Sequence, residues 1–122
     1  MKRMDVRVAD SVFPPRRSGQ KIHVRKHDDK VLYKVWLYLE GNDLPFVQYV
    51  TYHLHPTFAN PDRTVRRTAA NPDCQLIIWT WGLFNVRAKI VDKNGNFVSL
   101  DHMLQYDQQI RRAEPEDFEW EK

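Results

Sequence analysis

Two short runs near the middle of the chain combine a polar group with a large aromatic side chain. Residues 54–61, Leu-His-Pro-Thr-Phe-Ala-Asn-Pro, place the hydroxyl of Thr57 beside the ring of Phe58, and residues 79–84, Trp-Thr-Trp-Gly-Leu-Phe, contain Trp81. Each run follows a segment with the pattern of a β-strand, so we expect two loops to bring the rings together. A pair of rings over a hydroxyl is the chemistry of a binding site. The alternative is that both rings cap a core, as aromatic residues at strand ends often do.

Apolar and polar residues alternate along several short segments, as in half-buried β-strands. The alternation is clearest at residues 46–55, where Phe46 and Leu54 share a face and Gln48 interrupts it. Asn94 and Gly95 give the strongest hairpin signal, because both central residues of a tight primed turn need positive φ. Strands are expected at residues 20–26, 31–40, 46–55, 64–67, 75–81, 84–92 and 96–104. About seven or eight short strands without sustained helical spacing predict an all-β protein, an immunoglobulin-like antiparallel β-sandwich.

Length and composition exclude several classes of protein. The chain has 122 residues, 42% of them apolar and 29% charged, which suits one domain that needs no metal or disulfide. No apolar run reaches the ~20 residues of a membrane helix, no secretory signal opens the chain, and Cys74 is the only cysteine, so we expect a cytoplasmic protein without membrane contact. The sequence has no Gly-rich phosphate loop, nucleophile elbow or interpretable carboxylate pair, so we expect no catalysis and no cofactor.

The two ends of the chain carry opposite charge. Residues 1–30 hold nine Lys or Arg against four Asp, a balance of +5, and residues 113–122 hold five acids against one Lys, a balance of −4. The basic end lacks the interleaved aromatic residues of a nucleic-acid surface, so nucleic acid is not an expected partner. Arg63, Arg66 and Arg67 are interpreted as part of a solvated loop, with contact to an acidic peptide as the alternative. The expected organisation is a basic, largely irregular segment at 1–19, a β-sandwich domain at 20–112 and an acidic tail at 113–122.

Other aromatic residues and histidines have structural interpretations. Trp36 and Trp79 are expected to fill the core between the sheets. His53 and His55 lie two residues apart on one strand face, as two metal ligands would, but no third ligand stands at a supporting spacing, so no metal site is expected. The aromatic segment 118–120 is interpreted either as a short docking motif or as part of a segment that folds back on the basic N-terminal region.

The order of these elements resembles the YEATS domain family. The resemblance covers about residues 30–106. Within the family, the chain is most similar to the prokaryotic or standalone branch. It implies an immunoglobulin-like sandwich and a non-enzymatic module that reads an acylated lysine, such as acetyl- or crotonyl-lysine, on a protein partner. The alternative is an adaptor domain of a prokaryotic signalling or defence system without acyl-lysine binding. The matching residues are Leu54-His55-x-Thr57-Phe58, Asn60-Pro61-x-Arg63 and Trp81-Gly82-x-Phe84.

The resemblance also implies a role for each site residue. Phe58 and Trp81 would sandwich the flat acyl-amide, and the backbone N–H of Trp81 would donate to the acyl carbonyl. Thr57 would bond the amide through its hydroxyl, and His55 would orient the loop. The implied ligand-binding residues are His55, Thr57, Phe58, Thr80, Trp81 and Gly82.

Two positions depart from the family pattern. Eukaryotic readers usually have Gly where this chain has Thr80, so the side chain is expected to narrow the channel or to force a different backbone angle. Val31 stands near the position where a further aromatic residue lines the pocket in some members, which predicts a thinner wall.

Overall fold

Two β-sheets face each other across an apolar core. The computed structural model describes residues 4–15 and 21–121, so positions 1–3 and 16–19 of the expected N-terminal segment, position 20 of the expected first strand and position 122 of the expected acidic tail lie outside the described residues. The described strands are β1 (Arg7–Ser11), β2 (Ile22–His27), β3 (Lys30–Glu40), β4 (Val47–His53), β5 (Asp62–Arg66), β6 (Leu76–Thr80), β7 (Asn85–Asp92), β8 (Phe97–Met103) and β9 (Phe118–Glu121). The expected immunoglobulin-like β-sandwich is confirmed.

The strand β3 organises the first sheet, which contains β1, β2, β3, β6 and β9. One edge of β3 pairs with β2 through residues 30–33 and with β1 through residues 36–40, and its other edge pairs with β6, all antiparallel. The strand β9 adds parallel to β2, a pairing that the expected antiparallel arrangement did not include. The second sheet has the order β5-β4-β7-β8 and is antiparallel throughout.

Alternate residues of the strands fill the space between the sheets. Tyr52 of β4 is fully buried there, and its hydroxyl donates to the carbonyl of Cys74 at 2.7 Å. This bond satisfies the polar end of a large ring that the core would otherwise penalise. Further buried inward residues are Val35, Leu37, Leu39, Val86, Ala88 and Ile90.

Short helices connect some of the strands. Their bounds are Leu44–Phe46 and Pro115–Asp117 for two 3₁₀-helices and Asp107–Arg111 for the α-helix α1. None of the helices in the described part of the chain has the length and apolar character needed to cross a membrane.

A β-bulge near the start of β4 changes which side chains face the core. The register against β7 shifts between Val47 and Tyr49, and Val47 is buried while Phe46 and Gln48 are exposed. The prediction that Phe46 shares the core face was therefore wrong, because the extra residue of a bulge reverses the alternation. The interruption at Gln48 in the sequence marks this bulge.

The hairpin between β7 and β8 forms where the Asn-Gly pair predicts it, but its turn is of another kind. Gly95 has a φ of 86°, whereas Asn94 lies outside the positive-φ region. The carboxylate of Asp92 accepts from the backbone N–H groups of Asn94 and Asn96, each at 2.9 Å. The Asp92 side chain therefore closes the turn by the local hydrogen bonding that is typical of Asp and Asn.

Both terminal segments contribute strands to the first sheet. The prediction of a largely irregular N-terminal segment was wrong for β1, because Val6, Val8 and Val12 have apolar side chains that the core buries. At the other end, Phe118 packs against the core and pairs with Ile22. The interpretation that the acidic segment folds back on the basic region is therefore confirmed.

A hydrogen bond between Asp10 and His102 joins the two sheets. Asp10 on β1 turns its side chain inward, where it is 1% exposed, and accepts from Nε2 of His102 on β8 at 2.6 Å. The backbone N–H of Gln105 donates to the same carboxylate at 3.0 Å. A buried carboxylate requires such donors, so these contacts fix β1 against the end of β8.

Trp79 lies outside the core in which it was expected. On β6 the inward positions belong to Ile78 and Thr80, which are buried, so Trp79 projects from the outer face of the first sheet. There the guanidinium of Arg25 lies 4.2 Å from the centre of its ring. Trp36 is buried as expected, but it projects from the same outer face, because Val35 and Leu37 hold the inward positions of β3.

Candidate functional site

The loops that follow β4 and β6 meet at one end of the sandwich and line a cleft of about 810 Å³. The first loop spans residues 54–61 and the second spans residues 81–84. Because β4 and β6 belong to opposite sheets and both loops line this cleft, the packing of the two sheets brings the loops together. All six predicted site residues line this cleft: His55, Thr57, Phe58, Thr80, Trp81 and Gly82.

His55 and Thr57 hold the first loop in a tight local arrangement. The backbone N–H of Thr57 donates to Nδ1 of His55 at 3.3 Å, and the Thr57 hydroxyl lies 2.9 Å from the same nitrogen. The hydroxyl donates to this nitrogen or accepts from it according to the tautomer of His55, and in either case the Thr57 oxygen keeps a lone pair for an N–H donor in the cleft.

Arg63 supports the same loop from β5. Its guanidinium donates to the carbonyl of Asn60 and to the carbonyl of Ala59, each at 2.9 Å. Asn60 itself adopts a φ of 51°, a left-handed conformation that Asn tolerates better than most residues. The interpretation of Arg63 as part of a solvated loop was therefore wrong, since the side chain anchors the loop that carries Phe58.

Phe58 and Trp81 form different kinds of wall. Phe58 is partly buried, packs against the core, and lies 5.4 Å from Phe84 between ring centres. Trp81 is 59% exposed and has the ammonium of Lys30 at 4.2 Å from its ring centre. The cleft therefore has one fixed aromatic wall and one that stands in solvent under a cation.

Thr80 faces the interior beneath the second loop. It is buried, and its hydroxyl donates to the carbonyl of Gly82 at 3.0 Å. The hydroxyl of Tyr106 donates to that carbonyl as well, at 3.0 Å, and burial raises the pKa of Tyr106 to about 12, which keeps this donor protonated. Thr80 is outside the positive-φ region, so its backbone does not use the conformational freedom that Gly provides. The hydroxyl bond to Gly82 fixes the loop that carries Trp81.

Three basic side chains that sequence reasoning missed also line the cleft: Arg25, His27 and Lys30. Alternation along residues 20–26 correctly placed Arg25 on the exposed face, but it gave no register between β2 and β3. That register, with Arg25 opposite Leu32, brings the basic residues to the cleft. Val31 packs against the core and is not part of the cleft lining. Its neighbour Lys30 borders the cleft instead.

His53 and His55 are engaged separately. Nδ1 of His53 lies 2.7 Å from a carboxylate oxygen of Asp62, whereas His55 bonds Thr57. Among residues 4–15 and 21–121, no group of three or more His, Cys, Asp or Glu side chains is placed to hold a metal ion.

Solved structures of another protein share this fold. The structure titled as the Yaf9 YEATS domain recognizing an H3K122suc peptide has a TM-score of 0.57 and 16% identity, and the match covers 84% of this chain and 70% of that one. A structure of the Yaf9 YEATS domain alone gives a TM-score of 0.56 and 16% identity, over 90% of this chain and 81% of that one. A Yaf9 YEATS domain bound to H3K27ac gives 0.50 and 17%, over 86% and 76%. At this identity the likeness shows the fold.

Sequence comparison shows the family. Transcription initiation factor TFIID subunit 14 of Schizosaccharomyces pombe is 42% identical over 72 residues, which cover 57% of this chain and 28% of that protein. The chain thus matches little more than a quarter of that relative. The family model of the prokaryotic YEATS domain matches residues 31–105, which include both loops of the cleft. The chain therefore belongs to the prokaryotic YEATS domain family.

Proposed function

We propose that this domain is a non-enzymatic, cytoplasmic binding module that takes up an acylated lysine of a protein partner in the cleft. The observation that carries the proposal is the placement of Phe58, Trp81 and the Thr57 hydroxyl around one opening. The titles of two solved structures with this fold support the ligand class, because they describe YEATS domains with an H3K122suc peptide and with H3K27ac.

The chemistry of the cleft suits a neutral planar group. Acylation removes the charge of a lysine, so its entry into an apolar slot no longer carries the desolvation cost of an ammonium. The amide that remains still requires a donor and an acceptor. An aromatic face on each side of that amide buries area and allows offset packing.

Two polar groups would bind the amide. The Thr57 oxygen accepts the amide N–H through a lone pair that its contact with Nδ1 of His55 leaves available. The backbone N–H of Trp81 donates to the acyl carbonyl. The bonds of Thr80 and Tyr106 to the carbonyl of Gly82 hold this part of the loop in place before the ligand arrives.

Unmodified lysine would be rejected by charge. Arg25 and Lys30 line the cleft, and no carboxylate is part of its described lining. An incoming ammonium would lose hydration beside two cations, with ring faces as its only compensation. We expect discrimination of about tenfold or more, which corresponds to one unsatisfied buried polar group.

The proposal is tested by titrating acetyl-, crotonyl- and succinyl-lysine peptides, with the unmodified peptide as control, followed by NMR or calorimetry. We expect saturable binding of an acylated peptide that is lost in Trp81→Ala and weakened in Thr57→Val. Trp120→Ala is the matched control, because Trp120 has the same 59% exposure as Trp81 and is absent from the cleft lining. Absence of binding at millimolar acylated peptide would refute the proposal and favour the adaptor alternative.

A further inference from the structure

Cationic side chains lie over indole rings on the outer face of the first sheet. Arg25 lies 4.2 Å from the ring centre of Trp79, Lys30 lies 4.2 Å from that of Trp81, and Lys34 lies 5.2 Å from that of Trp36. We call these six residues the cation–indole face. Since Arg25, Lys30, Trp79 and Trp81 also line the cleft, the face is continuous with the candidate site.

The cations of this face lack acidic partners among the described residues. No described carboxylate lies within ion-pairing distance of Arg25, Lys30 or Lys34. The acids of the same sheet face contact other basic residues: Glu119 and Glu121 lie 3.8 and 3.6 Å from His23, although Glu121 is opposite Arg25 in the register, and Glu40 is 3.0 Å from Arg7. Arg25, Lys30 and Lys34 therefore remain available to a carboxylate from a partner.

The strand β6 adds an apolar border to this charge. Ile77, Trp81 and Leu83 follow at alternate positions along β6 and its continuation, and all three are exposed. In the described chain β6 pairs with β3 alone, so it forms an edge of the first sheet. An edge strand can accept an extended peptide by backbone pairing.

We propose that the partner segment of this domain is an extended peptide in which acidic and aliphatic residues flank the acylated lysine. This inference rests on the proposed function and names its partner class. The acyl group enters the cleft, the flanking carboxylates contact Arg25 and Lys34, and the aliphatic side chains cover Ile77 and Leu83. A basic tail, by contrast, brings its own positive charge against three cations, while the nearest acids of the face already contact His23 and Arg7.

The covered indoles distinguish this surface from a nucleic-acid platform. Single-stranded nucleic acids bind cationic grooves by stacking bases on open aromatic faces. Here Trp36 is 5% exposed and the ring of Trp79 lies under a guanidinium. Trp81 is the only one of the three indoles that is largely exposed, so successive bases have no row of open rings on which to stack. Carboxylates of a peptide require only the cations as binding partners.

The experiment uses peptides of one length and register that differ only in their flanks and modification. Three carry acetyl-lysine between acidic and leucine, neutral, or basic residues, and a fourth carries unmodified lysine in the acidic context. We expect the acidic acetylated peptide to bind about tenfold more tightly than the basic one at low salt, with the difference shrinking as salt is added. Arg25→Gln with Lys34→Gln should remove most of that preference.

Lys89→Gln, compared with Arg25→Gln and Lys34→Gln singly, is the matched control, because Lys89 lies 4.6 Å from the Phe97 ring centre on the second sheet and each of these variants loses one charge from a cation–ring contact. It should leave the preference unchanged. Equal affinities of acidic and basic acetylated peptides would overturn this inference and leave the acyl-lysine function intact. Equal affinities of acetylated and unmodified acidic peptides would overturn the acyl-lysine function and leave the docking surface. Tighter binding of a single-stranded oligonucleotide than of any peptide would overturn the choice of partner.

Discussion

The ammonium of Lys30 lies 4.2 Å from the centre of the Trp81 ring, within the lining of the cleft. A cation over an exposed indole is stabilised by about 0.5–1 kcal/mol. The unliganded domain therefore already holds a lysine of its own against the ring on which an acyl-lysine would stack. A ligand that stacks on the same face of the ring would displace this side chain.

Replacing Lys30 tests this competition. Because the ligand no longer displaces the ammonium, Lys30→Gln should bind a neutral-flanked acetyl-lysine peptide about two- to fivefold more tightly. Calorimetric titration of both proteins with the same peptide measures the change. Weaker binding by the variant would mean that Lys30 positions Trp81 and does not obstruct it.

Alanine substitutions of Phe58 and Trp81 should both impair binding but should differ in their effect on stability. Phe58 packs against the core and Phe84, so Phe58→Ala should lower the free energy of unfolding by about 1–3 kcal/mol as well as weaken binding. Trp81 is 59% exposed, so Trp81→Ala should change stability by less than about 0.5 kcal/mol and abolish binding. Urea unfolding followed by circular dichroism measures the first effect and peptide titration the second. Equal stability losses would show that Trp81 has a structural role that its exposure does not reveal.

Substitution by alanine should lower the stability of the domain strongly at Gly41 and only slightly at Gly82. Gly41 has a φ of 137°, and a Cβ there would lie 2.8 Å from the Cα of Val6, so Gly41→Ala should cost about 2–4 kcal/mol of stability. Gly82 lies outside the positive-φ region, and a Cβ there meets no atom within 4 Å, so Gly82→Ala should change stability by less than about 1 kcal/mol. Thermal unfolding of both variants checks the contrast. A stable Gly41→Ala protein would contradict the close approach of residues 5 and 6 to this turn.

The fold should lose stability at alkaline pH. Burial raises the pKa of the Cys74 thiol from 9.0 to about 11. The folded pKa exceeds the unfolded one, so the contribution of the thiol is complete below pH 9 and is lost as the pH rises from 9 to 11. Urea unfolding across this range should show a smaller decline in Cys74→Ala, because the contribution of the thiol is then absent. An identical decline in both proteins would exclude the thiol as a cause.

The strands and the cleft loops were predictable because their signals are local. A composition rich in β-branched and aromatic residues identified β3, alternation identified β7, and the runs around Thr57 and Trp81 identified the loops. The partners of Arg25 and Lys30 were not predictable in this way. Their contacts with indoles depend on the register between β2, β3 and β6, which is set by long-range packing.

The errors have equally physical causes. The first and last segments were predicted to be an irregular segment and a tail because charged residues dominate their composition. A few apolar residues in each segment decide its structure instead. Val8 in β1 and Phe118 in β9 pack on the core although their neighbours are charged. Trp79 was placed in the core from its size, but the parity of β6 leaves it outside.

The parallel pairing of β9 with β2 protects the sheet from other molecules. A polypeptide cut after residue 105, where the family match stops, would leave the backbone of β2 open along one side and uncover Ile22, which Phe118 pairs with. Open strand edges with apolar flanks recruit further chains and promote aggregation. The strand β9 therefore blocks edge-to-edge association: its backbone pairs with the edge of β2 that another strand would otherwise use, and its carboxylates stay in solvent.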